Sequence, residues 1–98
     1  MEGNYNITMT SPLGPQKGSI GFHEEDGKLN GSLNIMGGEN SFTGGKANGS
    51  NFEFAGTLKK GFSKFDYTAR GTVSGDDLKA TAITKFGILQ ITGVRAYA

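Results

Sequence analysis

The sequence contains no cysteine and no tryptophan, and it has one histidine and two prolines among its 98 residues. Without cysteine the chain forms no disulfide and offers no thiolate to a metal. His23 heads the acidic run "HEEDG", and strand alternation points it away from Phe22 and towards solvent. Because no second histidine exists to complete a zinc site, we expect an exposed strand end and no metal site here.

Long apolar runs and an excess of one charge are also missing. No apolar run approaches the ~18 residues that cross a bilayer. Ten Lys and Arg residues stand against nine Asp and Glu, with the signs scattered along the chain. We therefore predict no membrane span and no nucleic-acid partner. The start "MEGNYNITM" has no signal-peptide features, yet a chain with its leader removed would look the same, so the sequence assigns no compartment.

Glycine is abundant, with 17 residues against a usual share of ~7%. Aromatic and aliphatic residues are interleaved with the glycines at alternate positions, as with Tyr5, Ile7 and Met9 near the start. Eight such segments, each about twelve residues long with its turn, fill residues 1–98. The pattern predicts one all-β domain, an antiparallel up-and-down meander of about eight short strands with little or no helix.

The glycines fall into two classes. Gly27, Gly49 and Gly75 lie in predicted turns that need positive φ, and Asn48-Gly49 is the clearest hairpin signal. The second class is in phase with the apolar face of its strand, where glycine permits sharp curvature. The members of this class are Gly31, Gly44, Gly56, Gly71 and Gly93. Such curvature favours closure into a small barrel over two flat packed sheets.

Two polar stretches have the composition of a site. In "SGDDL", Asp76 and Asp77 lie at a solvated hairpin tip, where we expect turn residues and no catalytic carboxylate pair. In "KKGFSKF", three lysines surround Phe62. This loop is either a solvated hairpin tip with Phe62 folded back on the barrel rim, or a weak contact for an anionic surface or the mouth of a pocket.

The two ends of the chain carry a resemblance. "GNYNI" and "TGVRA", together with the meander, resemble the calycin superfamily of lipocalin-like eight-stranded barrels. In that superfamily a Gly-x-Trp on the first strand packs against an arginine on the last strand. Gly3-Asn4-Tyr5 and Arg95 match this pattern, with Tyr5 in place of the tryptophan. The repeated turn and strand also resemble small bacterial β-barrel domains of unknown function. The resemblance implies a closed calycin-like barrel that can bind a ligand.

The interior of an eight-stranded barrel is either filled by side chains or holds one small ligand, and both outcomes are open here. We predict no catalytic residue, no cofactor and no enzymatic activity. One hypothesis is a binding module for a small apolar or amphipathic ligand; the other is a homo-oligomer formed through Ile88 and Val94 on the outer wall, with Val73 and Ile83 nearby. The candidate ligand-binding residues are Tyr5, Phe22, Leu33, Phe52, Phe54, Tyr67 and Arg95.

Overall fold

Eight β-strands and no helix make up the part of the chain that the computed structural model describes, which is residues 2–11, 14–35, 38–60, 63–85 and 87–96. Each strand pairs antiparallel with the next, and β8 pairs with β1 to close the barrel. The predicted all-β meander and its closure are confirmed. The strands are β1 Gly3–Ser11, β2 Gly14–Glu25, β3 Lys28–Ile35, β4 Gly38–Asn48, β5 Asn51–Lys60, β6 Ser63–Ser74, β7 Asp77–Thr84 and β8 Gly87–Arg95.

The period-two pattern produces the core because successive side chains of a strand point to opposite faces. On β1 the buried residues Tyr5, Ile7 and Met9 alternate with residues that are exposed or half-buried. Val73, which the sequence placed with the outer-wall residues, instead packs against the core from β6. It does so because it shares the parity of Tyr67 and Ala69 on that strand. Ile83, Ile88 and Val94 are exposed, as expected for the outer wall.

Two-residue turns gather at one end of the barrel, which we call the turn end. Asp26 and Gly27 both have positive φ, at 53° and 78°, as the type I′ hairpin turn requires. Gly49 and Gly75 have φ of 63° and each occupies the first position of its turn. The predicted hairpin at Asn48-Gly49 is therefore present, with Gly49-Ser50 as the turn and Asn48 paired with Asn51. The opposite end of the barrel, where β1 ends and β2 begins, is called the far end.

One glycine of the curvature class is wrongly placed by the sequence. Gly44 is exposed with φ of 73°, and the buried residue is its neighbour Gly45. The register between β3 and β4 shifts between Leu29 and Gly31, so β4 carries one extra residue at this point. A bulge of this kind reverses which residues face inward, which simple alternation does not anticipate. The Gly44 N–H donates to Oδ1 of Asn30 at 3.1 Å.

The wall between β4 and β5 is held by a short ladder. Three residue pairs join these strands, from Lys46–Glu53 to Asn48–Asn51, all beside the turn. Ten pairs join β5 to β6. Within the described strands, residues 38–45 and 54–60 form no further ladder pairs with each other. We call this stretch the β4–β5 seam, and among the described strands β4 and β5 are the neighbours joined by the fewest ladder pairs.

The seam makes a prediction about local opening. Some seam amides of β4 and β5 are not hydrogen-bonded to β3 or β6. These amides should exchange with solvent at least about tenfold faster than amides in the middle of β6 and β7. The reason is that local opening costs less free energy where a ladder is short. Hydrogen exchange followed by NMR measures this. Amides of the β6–β7 ladder are the internal reference, since eight consecutive pairs join those strands. Equal protection in the two regions would contradict the prediction.

Candidate ligand-binding interior

A cluster of aromatic rings fills the half of the barrel nearer the turn end. Phe22 is its centre, with ring centroids of Tyr5, Phe42, Phe52 and Phe54 at 5.1–6.1 Å. Phe42 and Phe54 stack with centroids 3.9 Å apart. The rings fit because inner-wall glycines give them room: Gly31 lies between Phe22 and Phe42 as the cross-strand partner of both. Edge-on and offset ring pairs of this kind add to the stability that burial alone gives.

Small side chains line one side of a narrow void in the interior. Ala69 on β6 and Ala80 and Ala82 on β7, which we call the alanine wall, line this void together with residues that include Phe52, Phe54 and Tyr67. The void measures about 10 Å³, which is the room needed by one water molecule. Of the two interiors that the sequence left open, this conformation has the filled one.

The structure divides the predicted site residues into two groups. Leu33, Phe52, Phe54 and Tyr67 line the void. Tyr5 and Phe22 are buried in the ring cluster but lie outside the lining of the void, as does Arg95. Sequence reasoning missed Asn40, a buried side chain on the inner face of β4. The alternation of β4 could have identified it, because Asn40 lies two residues before Phe42 and therefore on the same inward face, in the part of β4 that precedes the bulge.

Tyr5 and Arg95 close the turn end. They are direct partners in the β1–β8 ladder, so their side chains lie side by side on the inner face. The Arg95 guanidinium carbon is 4.9 Å from the centre of the Tyr5 ring. Arg95 Nη2 donates to the Tyr5 hydroxyl at 2.7 Å, and Nη1 donates to the Glu2 carbonyl at 3.4 Å. The predicted contact between these two residues is present, and it caps the barrel.

Asp76 does more than form a turn. Its Oδ1 accepts a hydrogen bond from Arg95 Nε at 3.2 Å, and its carbonyl accepts from the Arg95 N–H at 2.8 Å. The β6–β7 turn therefore holds the last strand through both backbone and side chain. Sequence reasoning assigned Asp76 to the turn alone, because nothing local indicates that the turn lies beside the end of β8. Arg95 is thus already paired with an acid and a phenol.

Two buried polar groups on the inner wall stand out. Among the described residues, neither the Tyr67 hydroxyl nor Asn40 Nδ2 has a hydrogen-bond partner. Tyr67 is 3% exposed and Asn40 is 6% exposed. Burial raises the pKa of Tyr67 to about 12, because the phenolate loses its hydration there. At neutral pH both groups are uncharged, and each has a hydrogen to donate.

The raised pKa predicts a loss of stability at high pH. The unfolded chain releases the Tyr67 proton near pH 10 and the folded chain near pH 12, so the unfolded state gains stability over this window. Below about pH 10 the contribution is fully present; by about pH 12 the free energy of unfolding falls by roughly 2–3 kcal/mol. Denaturant unfolding of the wild type and of Tyr67→Phe at both pH values isolates the Tyr67 contribution. If the free energy of unfolding falls no more in the wild type than in Tyr67→Phe, the raised pKa of Tyr67 is contradicted.

The outer wall carries a wider but more open depression near the far end of β5, β6 and β7. Its volume is about 930 Å³, and its lining includes Thr57, Asp66, Thr68 and Ile83. Thr57 donates to Asp66 at 2.8 Å, so the polar groups at its floor bond to each other. Beside it, Ile83 and Ile88 are cross-strand partners with 47% and 64% of their surface exposed.

The other candidate sites are surface features. His23 lies 3.4 Å from Glu2 and 3.9 Å from Glu25, with all three side chains more than half exposed. No group of three or more His, Asp or Glu side chains within the described residues is arranged to hold a metal ion. The described part of the chain also has no helix with the length and apolar character to cross a membrane. The predicted lysine-rich loop is shorter than expected: Lys59 and Lys60 end β5, Lys64 lies in β6 as the partner of Lys59, and Phe62 lies outside the described residues.

Comparison with known proteins identifies the fold and leaves the family open. No family model matches the chain, and no curated protein matches it. A solved structure described as a redesigned β-barrel, mFAP1, bound to DFHBI, matches with a TM-score of 0.69. The match covers 98% of this chain and 94% of the other, at 14% sequence identity. At this identity the likeness establishes a shared barrel fold.

Proposed function

We propose that this barrel is a non-catalytic binding module for a small, largely apolar molecule held between the aromatic cluster and the alanine wall. The observation that carries the proposal is the asymmetry of the interior. Aromatic rings and three alanines line one void, and among the described residues the Tyr67 hydroxyl and Asn40 Nδ2 are buried in the same interior without a partner. A core selected for stability alone would gain by filling the void and removing the hydroxyl.

The fold comparison supports the proposal at the level of architecture. The similar redesigned barrel is bound to DFHBI, so an eight-stranded barrel of this kind accommodates a small molecule. The proposal extends to calycin-like membership, which the Tyr5–Arg95 contact supports through its position on the first and last strands.

Binding requires the interior to expand, because a void of about 10 Å³ holds no organic ligand. Phe54 lies on the part of β5 that borders the seam, so an outward shift of this part of β5 would move its ring away from Ala80 and Ala82 on β7. Because only the open state binds, the observed dissociation constant is the intrinsic one divided by the fraction of molecules that are open. We therefore expect micromolar to millimolar dissociation constants for simple aromatic probes.

Alanine methyl groups give a direct test. In a sample labelled at alanine methyls, titration with acetophenone should shift the signals of Ala69, Ala80 and Ala82 saturably. Ala55, which is exposed on the outer wall, serves as the internal control. The binding proposal is wrong if none of the interior signals responds, or if Ala55 alone does.

A matched pair of variants separates the interior from the surface. Ala69→Val fills the void and should abolish the saturable shifts of the remaining interior methyls. Ala55→Val adds the same two carbons on the exposed face of the adjacent strand and should leave binding unchanged. Circular dichroism and unfolding midpoints establish that both variants fold. Equal binding by the two variants would place the probe outside the barrel.

The second candidate function is assembly through the outer wall. Ile83 and Ile88 form an exposed apolar pair at the β7–β8 ladder, and a second copy of the chain offers the complementary surface by two-fold symmetry. Sedimentation at rising concentration should then reveal a dimer that Ile83→Thr with Ile88→Thr abolishes. Asn34→Ala is the control, because Asn34 is exposed on β3 and away from β7 and β8. A monomer at all concentrations excludes this candidate.

A further inference from the structure

The two buried donors on the inner wall specify more than an apolar ligand, and this inference rests on the proposed function above. We propose that the ligand is a neutral molecule with an apolar body and one acceptor oxygen of the carbonyl type, which receives hydrogen bonds from the Tyr67 hydroxyl and from Asn40 Nδ2. This names a binding subsite at the β4–β5 seam and the chemical class of molecule it takes.

The two groups lie on the inner faces of β4 and β6, the strands on either side of β5. Tyr67 lies on β6, and its side chain leans over β5: a Cβ placed on Gly56 would be 2.8 Å from the Tyr67 hydroxyl oxygen. β5 is the strand between β6 and β4, so the hydroxyl is directed towards the strand that carries Asn40. Asn40 is in turn the cross-strand partner of Leu33, which lines the void together with Tyr67.

Gly56 is what allows this arrangement. Any larger residue at position 56 would occupy the space under the Tyr67 hydroxyl, which lies 2.8 Å from where a Cβ would be. The glycine thus leaves the phenol buried over the middle of β5, where it meets no acceptor among the described residues. Buried polar groups in folded proteins almost always have a partner, so a persistent pair of donors indicates a group that arrives from outside the chain.

The chemistry of the pair selects a neutral acceptor. A neutral phenol and an amide N–H₂ both donate, and a carbonyl oxygen has two lone pairs to accept from both. An ionised carboxylate would also accept, but burial of a charge is costly unless an opposite charge accompanies it. Among the side chains that the structure describes, no charged one is buried, and Arg95 is already bound to Asp76 and Tyr5 at the turn end.

The seam provides the route for the ligand. Residues 38–45 of β4 and 54–60 of β5 border it, and these include Asn40 and Gly56. A molecule that enters where β4 and β5 separate therefore reaches the two donors first and the ring cluster and alanine wall behind them. The polar group would remain at the seam while the apolar body passes into the barrel.

A related set of probes tests the inference on the intact protein. Acetophenone carries the carbonyl, ethylbenzene has the same ring and two-carbon chain without the oxygen, and benzoate carries a charge. Alanine-methyl NMR measures the three dissociation constants. We expect acetophenone to bind about tenfold more tightly than ethylbenzene, the factor that one net hydrogen bond gives, and benzoate to bind more weakly than acetophenone.

Two variants assign the preference to the donors. Tyr67→Phe and Asn40→Leu should each reduce acetophenone affinity several-fold to tenfold while ethylbenzene affinity stays the same or rises. Thr81→Ala, on the outward face of β7, is the control and should change none of the dissociation constants. Because ethylbenzene reports on the interior itself, a variant that failed to fold would lose both probes and be recognised.

The outcomes separate the two proposals. If acetophenone and ethylbenzene shift the interior methyls with equal affinity, the interior binds ligands but the acceptor inference is overturned, and a bound water is then the partner of the two donors. If benzoate binds most tightly, the neutral class is overturned. If no probe shifts the interior methyls, the proposed function itself is overturned. A carbonyl preference that Tyr67→Phe abolishes supports the inference.

Discussion

Replacing Gly31 by alanine should destabilise the barrel more than any other substitution that adds a single carbon to β3. A Cβ at position 31 would overlap the backbone carbonyl oxygen of Gly21 and would lie 2.7 Å from the Phe42 ring. The carbonyl belongs to the neighbouring β2, so it moves only if the sheet itself shifts. We expect a loss of about 3 kcal/mol or more in the free energy of unfolding.

Urea unfolding of Gly31→Ala and of a control on the same strand measures this effect. Asn34→Ala is the control, because Asn34 is exposed and its side chain makes one long contact, to Ser19 at 3.5 Å. It should change stability by no more than about 0.5 kcal/mol. A Gly31→Ala protein as stable as this control would mean that β2 and β3 do not approach as closely as the structure has them.

Arg95→Ala is the second large effect. The substitution removes the hydrogen bonds to Tyr5, Asp76 and Glu2 and the stacking on the Tyr5 ring. It also leaves the hydroxyl of a tyrosine with 0% exposure without its donor. A hydrogen bond from a charged group contributes about 1.5–3 kcal/mol, and the buried phenol adds its own cost. We expect a loss of about 2–3 kcal/mol.

The chain contains a matched control for this experiment. Arg70 forms an ion pair with Glu53 at 3.2 Å, the same separation as Arg95 and Asp76, but the Arg70 side chain is 64% exposed against 29% for Arg95. Arg70→Ala should therefore cost less than about 1 kcal/mol. A double-mutant cycle of Arg95→Ala with Tyr5→Phe gives the coupling of the pair. Equal losses in the two arginine variants would remove the case for a specific cap at the turn end.

The two predicted residues of the cap illustrate how far local pattern reaches. Alternation placed Tyr5 and Arg95 in inward phase on the terminal strands, the resemblance to calycins implied their contact, and the β1–β8 register makes them direct partners. The same reasoning placed Leu33, Phe52, Phe54 and Tyr67 inside the barrel. It failed at Gly44, because the extra residue of a bulge is a property of two strands together. It also gave no hint that the β6–β7 turn would supply Asp76 to Arg95.

By itself, the sequence determined the all-β class, the number of strands, the turns at Gly27, Gly49 and Gly75, and most of the inward side chains. These follow from the period-two geometry of a strand and from the few residues that accept positive φ, both of which act over a few neighbouring positions. Only the tertiary structure decided how full the interior is, where the wall is weakly laddered, and which buried donors lack partners. Those properties depend on distances between strands far apart in the chain, where one methylene or one bulge changes the result.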